Sequence, residues 1–109
     1  PPLKSLPRLQ SLALEGTRVT DAGLKDVAEL KHLWNLGLKR TKVRGPGLAH
    51  LRQLPLLREL NLDDITITDD ALVHLAEYPA LRVLELRKCP ITDAGLVNLK
   101  NIKRLERVI

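Results

Sequence analysis

The chain has 109 residues with 18 Lys and Arg against 13 Asp and Glu, a formal net charge of +5, and 44% hydrophobic residues that include no Phe or Met, one Trp and one Tyr. Within these residues no apolar run approaches the roughly 18 needed to cross a bilayer, and there is no charged-then-apolar leader and no Asn-x-Ser/Thr sequon. A single cysteine, Cys89, excludes an intrachain disulfide framework and favours a reducing compartment such as the cytoplasm.

Leucine and its stand-ins recur with a fixed period of 24 residues. The units begin at Leu6, Leu30, Leu54 and Tyr78, and a fifth starts at Ile102. Self-similarity at such a period marks a solenoid, in which each turn buries its apolar side only by stacking on its neighbours. In each unit Leu-x-Leu alternates with period two, the mark of a half-buried strand. Strands are predicted to centre on Ser11–Ala13, Asn35–Gly37, Glu59–Asn61 and Val83–Glu85, paired in parallel because every turn returns the chain in the same direction. Eight leucines are predicted to point inward: Leu12, Leu14, Leu36, Leu38, Leu60, Leu62, Leu84 and Leu86.

After each strand comes Thr20-Asp21-Ala22-Gly23-Leu24 or its copy from Thr68 or Thr92. Thr is a good N-cap and an acid in the first turn suits the helix dipole, so short helices are predicted here. Leu24, Val27 and Ala28 fall on one helical face. The helices are too short to stand alone in water and depend on the sheet. Pro7, Pro55 and Pro79 end them. In the second unit Arg44-Gly45-Pro46-Gly47 replaces the motif, which predicts a shorter or irregular segment.

The frame LxxLxLxxTxVTDAGLxxL resembles the leucine-rich repeat along essentially the whole chain. Its Thr-Asp-Ala-Gly-Leu helix start is similar to ribonuclease-inhibitor-like proteins, F-box substrate receptors and bacterial proteins with 24-residue repeats. The resemblance implies an α/β right-handed solenoid, with a parallel sheet on the concave face and short helices on the convex face. It implies a single domain over 1–109 of about four and a half repeats. The family's Asn or Cys, which satisfies backbone groups behind the strand, falls on Thr17, Thr41, Ile65 and Cys89. Thr and Cys can serve there in part, whereas Ile65 interrupts the ladder. Leu3 stands in the register of Val27 and the chain ends at Ile109 in mid-strand, which reads as a section of a longer array. End-to-end self-association through Leu105, Val108 and Ile109 is the expectation for this piece alone.

The variable positions around each strand point to the concave face. The candidate partner-binding residues are Trp34, Asn35, Lys39, Arg40, Arg58, Asn61, Arg82, Glu85 and Arg87. Trp34 leads them, since its register is polar in the other units (Gln10, Arg58, Arg82, Glu106), and an exposed Trp beside arginines has hot-spot composition. Two columns alternate in charge, Glu15–Lys39–Asp63–Arg87 and Gly16–Arg40–Asp64–Lys88. Strands about 4.8 Å apart allow pairing along them, each exposed pair being worth only about 0.2–1 kcal/mol. The second unit holds Lys31, Lys39, Arg40, Lys42, Arg44 and Arg52 with no acid, while the third holds six acids against Arg58, so the two attract. Tyr78 reads as a core residue with its hydroxyl at the edge.

Chemistry is sparsely provided for. His50 and His74 share a convex column, but helices roughly 8–10 Å apart cannot bring them onto one ion. Cys89 sits without a histidine in its row and reads as a structural thiol. No phosphate loop or catalytic pair is present, and neither a cofactor nor an enzymatic activity is expected. The leading reading is a module that binds a protein partner through the concave sheet. The alternatives are polyanion binding (nucleic acid or acidic membrane) through the basic second unit, and a structural middle section of a longer repeat protein. Asp63 and Asp64 among the cations, and the lack of stacking aromatics, make nucleic acid the weaker partner.

Overall fold

The computed structural model describes residues 8–102 and 104–109; Leu3, Leu6 and Pro7, on which the reading of the first turn leans, lie outside them. Five strands form one parallel sheet in chain order: β1 (Ser11–Ala13), β2 (Asn35–Gly37), β3 (Glu59–Asn61), β4 (Val83–Glu85) and β5 (Arg107–Val108). The first four fall on the predicted residues. The register follows the sequence period, with Leu12 beside Leu36, then Leu60, Leu84 and Val108. Ladder bonds continue past the strand ends, from Trp34 N–H to Gln10 O and from Arg40 N–H to Asp63 O. The fold is a right-handed leucine-rich-repeat solenoid, with the sheet on the concave face and the helical segments on the convex face.

The pleat sends alternate leucines inward. Leu36, Leu38, Leu60, Leu62, Leu84 and Leu86 are buried between sheet and helices, where each is worth about 1.5–3 kcal/mol relative to exposure. Leu12 and Leu14 are only half-buried, contrary to expectation, because β1 has no strand beyond it among the described residues. Leu24, Val27 and Ala28 are buried from the convex side as their spacing predicts. On the last turn Leu96, Val97, Val108 and Ile109 are exposed.

The convex segments are less uniform than the motif suggests. α1 (Asp21–Val27) and α2 (Asp93–Val97) are α-helical, but Pro46–Gln53 and Asp69–Glu77 are 3-10 helices. The predicted irregularity of the second unit therefore extends to the third, despite its intact Thr68-Asp69. Where the other units have Gly23, Gly47 and Gly95, the third has Ala71. That position packs against the motif residue two places earlier in the preceding turn. A Cβ at Gly47 would lie 2.6 Å from Asp21 Cα, and one at Gly95 would overlap Asp69 Oδ1. In the third unit Ala71 carries a Cβ, and its neighbour Gly45 has none; a Cβ there would sit 2.7 Å from that of Ala71. The two departures from the repeat compensate one another.

Thr20, Thr68 and Thr92 stand at N-cap positions, but none caps its helix through its side chain. The motif acid bonds the next turn instead. Asp21 Oδ1 accepts from the backbone N–H groups of Arg44 (2.9 Å) and Gly45 (3.3 Å). Asp69 accepts from Thr92 N–H at 2.8 Å and from the Thr92 hydroxyl, which holds its carboxyl below the ordinary value of 3.8. Gly45 has no carboxylate to offer Thr68, so the second and third turns lack this staple.

The ladder behind the strands closes in an unforeseen way. Thr17 Oγ1 donates to Leu14 O at 2.6 Å and Thr41 Oγ1 to Leu38 O at 2.8 Å. Ile65 has no donor, and its counterpart carbonyl, Leu62 O, accepts from Cys89 Sγ at 3.0 Å across the turns. Tyr78 is in the core as expected, but its hydroxyl is inside rather than at the edge, donating to Leu48 O at 2.5 Å.

Candidate binding surface

The ladder of parallel strands fixes a row of outward side chains on each turn, and the rows differ in how freely they stand. Among the nine candidate residues, Asn61, Arg82, Glu85 and Arg87 are engaged within the protein. Asn61 Oδ1 accepts from Asp63 N–H at 2.8 Å, and Arg82 Nε lies 3.8 Å from Glu106. Arg87 Nη1 lies 3.3 Å from Asp63 Oδ2 and 3.2 Å from Glu85 Oε1. The remaining five, Trp34, Asn35, Lys39, Arg40 and Arg58, show no side-chain hydrogen bond or ion pair among the described residues. Four of these five belong to the β2 turn.

The first charge column pairs only at Asp63–Arg87. Asp63 is 2% exposed and also accepts from Arg87 N–H at 2.7 Å, so its negative charge is committed to that turn. Lys39 and Glu15 form no ion pair with their column neighbours among the described residues. The second column has a different nature. Gly16, Arg40, Asp64 and Lys88 all have left-handed backbone, with φ of 73°, 56°, 59° and 61°. They form the corner that turns each chain out of the sheet, and the alternation of charge along them makes no ion pair among the described residues. A non-glycine residue in this conformation costs roughly 1 kcal/mol. That three long or charged side chains occupy it lines the C-terminal rim of the sheet with charge.

Two neighbouring clefts lie on that rim. One of about 240 Å³ is lined by Lys39, Arg40, Asp63, Asp64, Arg87 and Lys88, and another of about 210 Å³ by Arg40 to Arg44 with Asp64 and Thr66. Lys42 and Arg44 also lack ion pairs among the described residues.

The opposite, N-terminal rim carries an apolar pair at the second and third turns, among polar residues on the other turns. Trp34 is 37% exposed, as its register implies, and Leu56 beside it is 47% exposed. With Arg58 they line a cleft of about 220 Å³. Leu56 was not among the sequence candidates. Its signal was present, since the same register holds Arg8, His32, Ala80 and Arg104 in the other units. Between the two rims the floor is low: β2 presents Gly37 where β3 and β4 have Asn61 and Glu85, and β1 has Ala13.

The chemistry elsewhere is quiet. Burial pushes the Cys89 thiol above its ordinary value, which suppresses the nucleophilic thiolate. Burial likewise raises the Tyr78 phenol. Among the described residues no three His, Cys, Asp or Glu side chains are grouped to hold a metal ion, and no helix is long and apolar enough to cross a membrane.

The concave sheet and its convex segments, displayed on a rigid repeating frame, give this chain the leucine-rich-repeat solenoid fold. The family model described as Leucine Rich repeat matches residues 79–100, the fourth turn. Among solved structures, internalin C2 of Listeria monocytogenes is similar over 99% of this chain and 44% of its own, with 30% identity and a TM-score of 0.81. A leucine-rich-repeat protein of Leptospira interrogans is similar over 98% of this chain and 26% of its own, with 26% identity and a TM-score of 0.79. A second Listeria monocytogenes internalin, 19% identical over 98% of this chain and 36% of its own, shares the fold at a TM-score of 0.63. This chain thus spans less than half the length of each. Comparison with curated proteins gives no match.

Proposed function

We propose that the chain binds a protein partner through the concave face of its sheet, with the β2 turn at the centre of the contact. Leucine-rich-repeat proteins in general mediate protein–protein interaction, which supports the class of function. The observation that carries the site is the exposed Trp34 with Leu56 and Arg58 around one cleft. An aromatic and an arginine at the edge of a rigid surface are the residue types that dominate binding energy at interfaces. The frame is already ordered, so little conformational entropy is lost when a partner docks.

The test compares capture by the native chain with capture by two double variants. A partner retained by the native chain is expected to be lost with Trp34→Ala/Arg58→Ala and kept with the convex-face pair His50→Ala/Arg52→Ala. Loss with the convex pair alone would move the binding face to the helices.

The polyanion reading has one observation in its favour, the four cations Lys39, Arg40, Lys42 and Arg44 without ion pairs among the described residues. Its signature is affinity that falls log-linearly with salt.

A further inference from the structure

Resting on the concave-face reading, we propose the chemistry of the partner: an extended protein segment with one apolar anchor side chain and a cluster of carboxylates about five residues further along. The anchor enters the cleft between Trp34 and Leu56, and the carboxylates meet the cations at the far rim of the same strand.

The spacing comes from the backbone. Trp34 stands just before β2 and Lys39 opens the turn just after it, between the ladder bonds made by Trp34 and Arg40. Five residues at roughly 3.3 Å each place the rims about 16 Å apart. A segment lying along β2 therefore spans them with about five residues of its own.

The floor permits that path. Gly37 has no side chain, and Ala13 on the neighbouring strand has only a methyl. Glu15 leans over from β1, its Oε2 lying 3.5 Å from where a Cβ at Gly37 would be, so it borders the path on one side.

Charge decides the far end. The rim cleft presents Lys39, Arg40, Arg87 and Lys88 against Asp63 and Asp64. Asp63 and Arg87 satisfy each other, which leaves three cations facing one acid. Lys42 and Arg44 adjoin them on the next cleft with no further acid than Asp64. Carboxylates complement this rim, and a basic segment is repelled by it. The near end is apolar: Trp34 and Leu56 supply two of the three residues of its cleft, and Arg58 supplies the third. A uniformly charged polymer leaves that cleft unfilled, which is why a protein segment is favoured over nucleic acid.

The probe is a blocked synthetic peptide with one leucine, a four-residue Ser/Gly spacer and three glutamates. Binding is followed by calorimetry and by the emission of Trp34, the only indole. The expected result is saturable binding with a blue shift. Affinity should fall at least about 10-fold, equivalent to 1.4 kcal/mol, when the glutamates become glutamines or when Lys39→Ser/Arg40→Gly is introduced. It should fall similarly with Trp34→Ala, and with Leu56→Ser as a second variant should the first melt early. Shortening the spacer to one residue should weaken binding about 5-fold, as one end then leaves its rim. Equal binding of the glutamine peptide would overturn the acidic half. Equal binding of a peptide with serine for leucine, steeply salt-dependent, would replace the proposal with polyanion binding. No saturation by millimolar peptide would overturn the chemistry altogether. The broader reading fails separately, if partner capture survives Trp34→Ala/Arg58→Ala.

Discussion

The junctions between turns one and two, and between turns three and four, are built differently from the one between turns two and three. The first two carry a carboxylate staple, Asp21 to the N–H groups of Arg44 and Gly45, and Asp69 to Thr92. The middle junction has none. It closes by the contact of Gly45 with Ala71, and it leaves a cleft of about 200 Å³ lined in part by Arg44, Thr68, Asp70 and His74. Opposite charge acts across it, with Arg52 Nη1 3.4 Å from Glu77 Oε1, but that pair is exposed and weak. The middle junction is also where the open residues of the sheet gather. A repeat protein thus keeps its stack by the same leucines at each step while varying the polar joinery, and the least stapled step is the one that displays the free side chains.

Several substitutions would break or sharpen this contrast. The largest effect belongs to what the junctions share. Leu60→Ala leaves a cavity beside the middle strand and should cost about 2–5 kcal/mol in denaturant unfolding. A loss below about 1 kcal/mol would mean that the stack is not held by its leucines.

Next comes the steric pairing. Gly45 has φ of 133°, and an added Cβ meets that of Ala71, so Gly45→Ala should cost about 2 kcal/mol or more. Ala71→Gly in the same chain should return about 1 kcal/mol of that by removing the clash, a coupling a double-mutant cycle measures directly. Additive costs would show the two positions to be independent.

A smaller effect runs in the other direction. Arg40→Gly relieves a left-handed non-glycine residue and should stabilise by up to about 1 kcal/mol while removing one rim cation. The smallest effect is the pH dependence of the stapled junction. Because Thr92 lowers the Asp69 pKa in the folded state, its contribution is fully present above the unfolded value. It disappears as the pH falls through the folded one, below the ordinary 3.8. Asp69→Asn should therefore flatten stability against pH in that acid range and leave its slope near neutrality unchanged.

Much of this was legible in the residues. The period of two within a period of 24 placed β1 to β4, their parallel register and the inward leucines, because a strand's alternating faces leave a direct trace in composition. Trp34 was legible for the same reason: an aromatic in a polar column has one face to point to. The corner at Gly16, Arg40, Asp64 and Lys88 was half legible, since Gly16 marks the left-handed position and its three replacements hide it behind charge. What could not be read were contacts across a full turn. Cys89 serving the carbonyl that Ile65 leaves, Asp69 reaching Thr92, and Gly45 yielding to Ala71 each join residues 23 to 27 apart, which only the stacked coil brings together. Leu56 went unnoticed as a site residue because leucine in a leucine-rich turn looks like core.

The proposed binding surface depends on the β2 turn presenting its indole to solvent. Trp34 fluorescence in the isolated chain, with acrylamide as quencher, measures that directly because no other tryptophan contributes. The emission of a partly water-exposed indole, open to the quencher, is the result expected. A blue-shifted spectrum resistant to acrylamide would place Trp34 in the core and remove the anchor on which the binding surface rests.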